Sequence, residues 1–131
     1  MNGDDEVYRR GMAARREVLG DEHVDRAVAG ADGFSADFQE FLTRYAWGEV
    51  WQRPGLDRRT RSAVTLAVLT ALRAEDEIGM HVRGALRNGL TEAEIGEVLL
   101  HVALYAGLPA ARTAYRIAGR VLAEERAGND H

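Results

Sequence analysis

Apolar residues recur at three- and four-residue intervals along nearly the whole chain, with almost none of the alternation that makes strands, and this periodicity confines the fold to packed helices. Only two prolines occur in 131 residues, both beside glycine or alanine at expected helix boundaries. The pattern predicts an all-α fold. An opening helix covers about 4–18 and closes near Gly20, and a short one at about 21–29 carries His23, Val24, Ala27 and Val28. Ser35 has the chemistry of an N-cap, with Asp37 facing the positive end of the helix dipole. The helix that follows, about 36–51, is expected to bury Phe38, Phe41, Leu42 and Tyr45.

RPGL at 53–56 reads as a turn, because proline fixes its φ and glycine tolerates conformations that other residues avoid. Asp57 can cap a helix running to about 72, whose stretch AVTLAVLTAL at 63–72 is apolar nearly all round and so belongs at the centre of a core or in an interface. A helix at about 74–87 places Ile78, Val82, Ala85 and Leu86 on one stripe and stops at Asn88–Gly89. Thr91 and Glu94 form a capping box opening a helix at about 92–106, and Gly107 and Pro109 separate it from a last helix at about 109–125. Residues 126–131 are expected to fray. The length suits one domain spanning 1–131, with no repeat, linker or low-complexity segment.

Composition narrows the function. A formal charge of -4 argues against a nucleic-acid surface, which needs a concentrated excess of Lys and Arg. Zero cysteines exclude disulfides, thiolate metal sites and thiol catalysis, and fit a reducing cytoplasm. MNGDDEVYRR lacks the apolar core of a secretion signal, and no apolar run approaches the roughly 18 residues of a membrane span. A soluble, cytoplasmic protein without membrane or nucleic-acid partners is expected.

Two Glu–His pairs stand out. Glu77 and His81 lie one helical turn apart, as do Glu97 and His101, with Tyr105 a turn further on. Both histidines border apolar stripes, which would shield them in part from water. A carboxylate on one imidazole nitrogen fixes the tautomer and leaves the other to move a proton. That is the minimum for general acid–base catalysis, although the same spacing also serves a purely structural hydrogen bond. Neither the H-E-x-x-H nor the Glu-x-x-His pattern is present, so no metal is expected. In WGEVWQRPGLDRRTRSAV, 47–64, the tryptophans can be core or interface aromatics and Arg58 and Arg59 a solvated face. Arg53 and Arg61 flank a turn that can aim a guanidinium inward at a carboxylate. Arg112, Arg116 and Arg120 form a stripe suited to water and the helix dipole.

In order and spacing, RRxVLGDxHVDR at 15–26, WGxxWxRPGL at 47–56, RxxRS at 58–62, the Glu77–His81 pair and NGLTxxEIxEVLLHxALYAGLPAA at 88–111 resemble the carboxymuconolactone decarboxylase family, which has the AhpD-like helical fold. The similarity runs from about residue 8 to 123. Thiol peroxidases of the wider fold carry C-x-x-C-x-x-x-H, and laid on this chain their cysteines fall at Ala74 and Glu77 and their histidine at His81. The resemblance therefore implies proton handling without sulfur. It further implies six to seven helices, a ring-like homo-oligomer of hexamer type, no cofactor, and an unsaturated dicarboxylate lactone as substrate. Under it, His81 is the proton source oriented by Glu77, and His101 a second donor serving the lactone oxygen. Arg53 or Arg61 would hold the acetate carboxylate, and Trp51 would wall the reacting group. Two other readings stay open: a cysteine-free relative acting on another unsaturated or keto acid, and a non-catalytic oligomeric binding module.

Overall fold

Glycines decide how the first helices pack. The computed structural model describes residues 3–129, and the chain divides after Asp57 into two compact units. In the first, α1 (Gly3–Leu19) and α2 (Asp21–Ala29) are joined at Gly20, whose φ of 90° suits a residue without Cβ. Arg16 ties them by ion pairs to Asp21 at 3.1 Å and Asp25 at 2.9 Å. α3 (Ala36–Phe41) then passes into a π-helix, Leu42–Val50.

The expected continuous α-helix over 36–51 is thus replaced by two kinds of turn, and its buried face is not the aromatic one. Phe38, Phe41 and Tyr45 are 63%, 58% and 50% exposed, and Leu42 is half-buried, while Thr43, Trp47 and Gly48 are buried against α1. The reason is steric. A Cβ on Gly11 would sit 2.2 Å from the Thr43 carbonyl oxygen, and one on Gly48 2.8 Å from that of Val7. Backbones approaching this closely leave room for small residues, so the large aromatic rings turn outward. Ser35 also departs from its expected role: its hydroxyl bonds to Asp32 and makes no cap bond to α3.

The second unit contains α4 (Arg58–Leu72), α5 (Glu75–Arg87), α6 (Glu92–Ala106) and α7 (Leu108–Asn129). Its core joins Leu66, Ile78, Val82, Leu90, Ile95, Leu99, Ile117 and Val121. α5 ends in a Schellman motif, with Gly89 (φ 98°) donating to Leu86 O at 3.1 Å and Leu90 to Ala85 O at 2.9 Å. α6 opens on the expected Thr91–Glu94 capping box, and Glu94 also pairs with Arg59. α7 begins a residue earlier than expected, since proline is tolerated in a first turn, and stays helical to Asn129, with Arg126 paired to Glu92 at 2.5 Å. Of the tail expected to fray, residues 126–129 are therefore helical, and Asp130 and His131 lie outside the described residues.

α4 is not buried all round. Ser62, Leu66 and Thr70 face the core, whereas Val64, Val68 and Leu72 are 49%, 49% and 72% exposed. Among the described residues no helix is long and apolar enough to cross a membrane.

Candidate functional site

α5 positions the central pair. α4 ends in a second Schellman motif, where Arg73 donates to Thr70 O at 3.0 Å and Ala74 to Leu69 O at 2.9 Å, with Arg73 in the left-handed region at φ 56°. The chain so reversed starts α5 with Glu75, Asp76 and Glu77 in its first turn, where the helix dipole favours carboxylates. His81 follows one turn later, half-buried beside the stripe of Ile78, Val82 and Ala85.

Glu77 is an exposed residue, yet partial desolvation of its carboxyl against the protein, and second the Asp76 charge beside it, push it above the ordinary glutamate value. Both favour the protonated acid, whereas the dipole, or an imidazolium bonded to the carboxylate, would act the other way. The net direction at the turn below His81 is thus toward a weaker acid than an ordinary glutamate. Arg73, Ala74, Glu75, Asp76 and Glu77 line an open surface cavity of about 370 Å³. Among the described residues no three of His, Cys, Asp and Glu are grouped as a metal site would require.

The other sequence-derived candidates are dispersed. Arg61 lies half-buried in the first turns of α4, with its Nε buried. Its neighbour Ser62 accepts a hydrogen bond from Asn88 Nδ2 at 2.8 Å, which sets the register of α4 against α5. Seven residues separate Asn88 from His81, so the backbones of Arg61 and His81 are offset by roughly 10 Å at 1.5 Å rise per residue. His101 is exposed, contrary to the expected shielding. It shares an outward face of α6 with Leu100, Leu104 and Tyr105, and its ring centroid is 5.1 Å from that of Tyr105. Because Ile95, Leu99 and Val102 take the core-facing side, position 101 is turned away from it.

In the first unit, Trp51 closes the π-helix and stacks on buried Trp47 at 4.8 Å and 21°. Arg53 is exposed in the turn that follows, its amide bonded to Val50 O at 3.1 Å.

Sequence reasoning gave no role to Arg15, which is only 4% exposed. The signal was present: Gly11, Ala14, Arg15, Val18 and Leu19 share one helical stripe, and all are buried.

Comparison with known sequences puts these residues in context. A sequence model of the Carboxymuconolactone decarboxylase family matches residues 36–120. The chain is 52% identical over 118 residues to 4-carboxymuconolactone decarboxylase of Acinetobacter baylyi, covering 90% of this chain and 88% of the relative. It is 48% identical over 110 residues to nitrosuccinic acid decarboxylase of Metarhizium robertsii, covering 81% and 77%. A 4-carboxymuconolactone decarboxylase sequence from Pseudomonas putida is 50% identical over 42 residues, 32% of this chain and 88% of the relative.

Proposed function

The chain belongs to the carboxymuconolactone decarboxylase family, and from that premise we propose that it decarboxylates 4-carboxymuconolactone to the β-ketoadipate enol-lactone, a cytoplasmic step of protocatechuate breakdown. The observation that carries this reading is the 52% identity to the Acinetobacter baylyi enzyme over 90% of the chain. The chemistry needs no cofactor. Loss of carbon dioxide from the γ-carbon sends an electron pair through the ring double bond onto the lactone carbonyl, and the resulting dienolate takes a proton at the α-carbon.

The protein has to hold the spectator carboxylate, stabilise charge at the carbonyl oxygen and deliver one proton. His81 delivers it, and Glu77, whose pKa is raised by partial desolvation and by Asp76, orients the ring and shares the proton. Arg53 or Arg61 grips the acetate carboxylate, Trp51 walls the reacting group, and His101 serves the lactone oxygen. His101 is exposed in the single chain, so this last role calls for a partner subunit to cover it. A homo-oligomer, of hexamer type and ring-like, is supported by the apolar side chains that α4 and α6 leave in water. The whole chain then acts as one domain.

A second reading rests on the relative from Metarhizium robertsii. Nitrosuccinate is also a dicarboxylate that loses one carboxyl group beside an electron-accepting substituent, so the same proton-handling pair would serve it. Purified protein, treated with chelator, should consume carboxymuconolactone and release one carbon dioxide per ring. Turnover of nitrosuccinate alone would favour the second reading, and turnover of neither would overturn both.

A further inference from the structure

Arg15 is a buried charged group to which the decarboxylation chemistry above assigns no role. Its Nη2 donates to Gln39 Oε1 at 3.0 Å and its Nη1 to Thr43 Oγ1 at 3.3 Å. Thr43 gives its own proton to Gln39 O at 2.8 Å, so its lone pairs are left for the guanidinium. Both acceptors are neutral. Nε is buried with no hydrogen-bond partner, and among the described residues no carboxylate forms an ion pair with this side chain. Burial lowers the Arg15 pKa, yet a guanidinium stays charged at any ordinary pH. A cation so enclosed costs stability unless an anion meets it.

Space for that anion adjoins it. Arg15, Gln39 and Thr43 line an open cavity of about 500 Å³ lying wholly within the first unit, a size suited to a small molecule. Met12, Val28 and Ala31 supply apolar wall, while Asp5 and Glu40 stand at exposed positions on it, Glu40 held by Arg44 at 3.0 Å. Arg44 lines the cavity too, so its charge and that of Glu40 offset each other, and Arg15 is the buried cation on the wall. We propose that this cavity binds a small organic carboxylate, its carboxylate on Arg15 and its carbon skeleton on Met12 and Val28. The ligand is either the acetate-bearing end of the reactant or product proposed above, in which case Arg15 replaces Arg53 or Arg61 in that role, or a separate small acid that modulates the enzyme.

Calorimetric titration of the intact protein with 4-oxopentanoate, with its methyl ester as the neutral control, tests this. Saturable binding of the acid alone is expected. Arg15→Met should weaken it at least tenfold while raising the melting temperature of the ligand-free protein, because a buried charge is relieved; a structural arginine would give a lower melting temperature. Arg15→Lys, which loses the planar fork, should weaken binding by about tenfold. Absence of binding, equal binding of the ester, or unchanged affinity in either variant would overturn the proposal. In assays with the lactone, competitive inhibition and a raised KM in Arg15→Met identify the reactant's carboxylate. Non-competitive inhibition with KM unchanged identifies a separate acid. Binding is read without turnover, so failure of the decarboxylase reading leaves this result standing.

Discussion

Glu77, although exposed, has its carboxyl pKa raised first by partial desolvation and second by the neighbouring Asp76 charge. The sign of the consequence follows from linkage. With its folded pKa raised, the native state holds this proton more tightly than the unfolded chain does. The associated stability is fully present below the ordinary glutamate value of 4.5 and is lost as pH rises through the folded value. Glu77→Gln should therefore gain in melting temperature relative to the parent as pH is raised from that value toward neutrality; parallel melting curves across this range would contradict it. His81→Ala should lower kcat by roughly 10²–10⁴-fold, the usual share of a general acid, with the melting temperature little changed. A loss confined to KM would remove His81 from proton transfer. Spacing left the Glu77–His81 pair open between a structural and a catalytic role, and the family resemblance singled it out as the candidate. Neither could disclose that the Glu77 carboxyl is a weaker acid than usual, because that depends on partial desolvation by its surroundings, nor that Arg15 lacks a counter-charge, because that depends on what α3 and the π-helix bring to it.

Elements differ in how far their sequences specify them. The caps of α5 and α6 were readable because a Schellman glycine and a capping box are chemistry within six residues. The π-helix was not, since its buried face is chosen by a glycine pair 37 positions apart, Gly11 and Gly48, whose contacts override the apolar preference of Phe38, Phe41 and Tyr45. Gly11→Ala should destabilise the protein by about 1–3 kcal/mol through overpacking against backbone, read as a lowered denaturant midpoint. The end of α4 makes the converse case. Arg73 occupies the left-handed position that Gly89 fills at the end of α5, at a strain of roughly 1–2 kcal/mol for a side chain with Cβ. Arg73→Gly relieves it against an unfolded-state entropy cost of about 0.4–1 kcal/mol, leaving a net gain of about 0.8 kcal/mol at the middle of the two ranges. An unchanged or lower midpoint would mean that the Arg73 side chain itself contributes to the start of α5.

At the scale of the whole molecule, the apolar stretch 63–72 admitted two destinations, core or interface, and α4 buries one face in the core and leaves the other exposed. Leu66 is fully buried while Val64, Val68 and Leu72 are exposed, and α6 and α7 add Leu100 at 56%, Leu104 at 73% and Leu108 at 67%. Periodicity could not separate these outcomes, because both faces are equally apolar in sequence; the distinction lies in which neighbours a helix meets. Single apolar residues in water need no explanation, but several on the outward faces of adjoining helices are a surface that a further copy of the chain can cover. The expectation is a native mass that is a multiple of 14.4 kDa. Leu104→Asp tests the face directly. Burying a leucine contributes about 1.5–3 kcal/mol, and an aspartate there adds the cost of desolvating a charge, so each contact should weaken by about 3 kcal/mol or more. That is roughly two powers of ten in an association constant, enough to shift light-scattering mass toward smaller species. Residue 104 points outward, so the helical content of the subunit should be preserved. If decarboxylation requires His101 to be covered, activity should fall in step with mass; a dissociated variant with full turnover would remove His101 and the oligomer from the mechanism together.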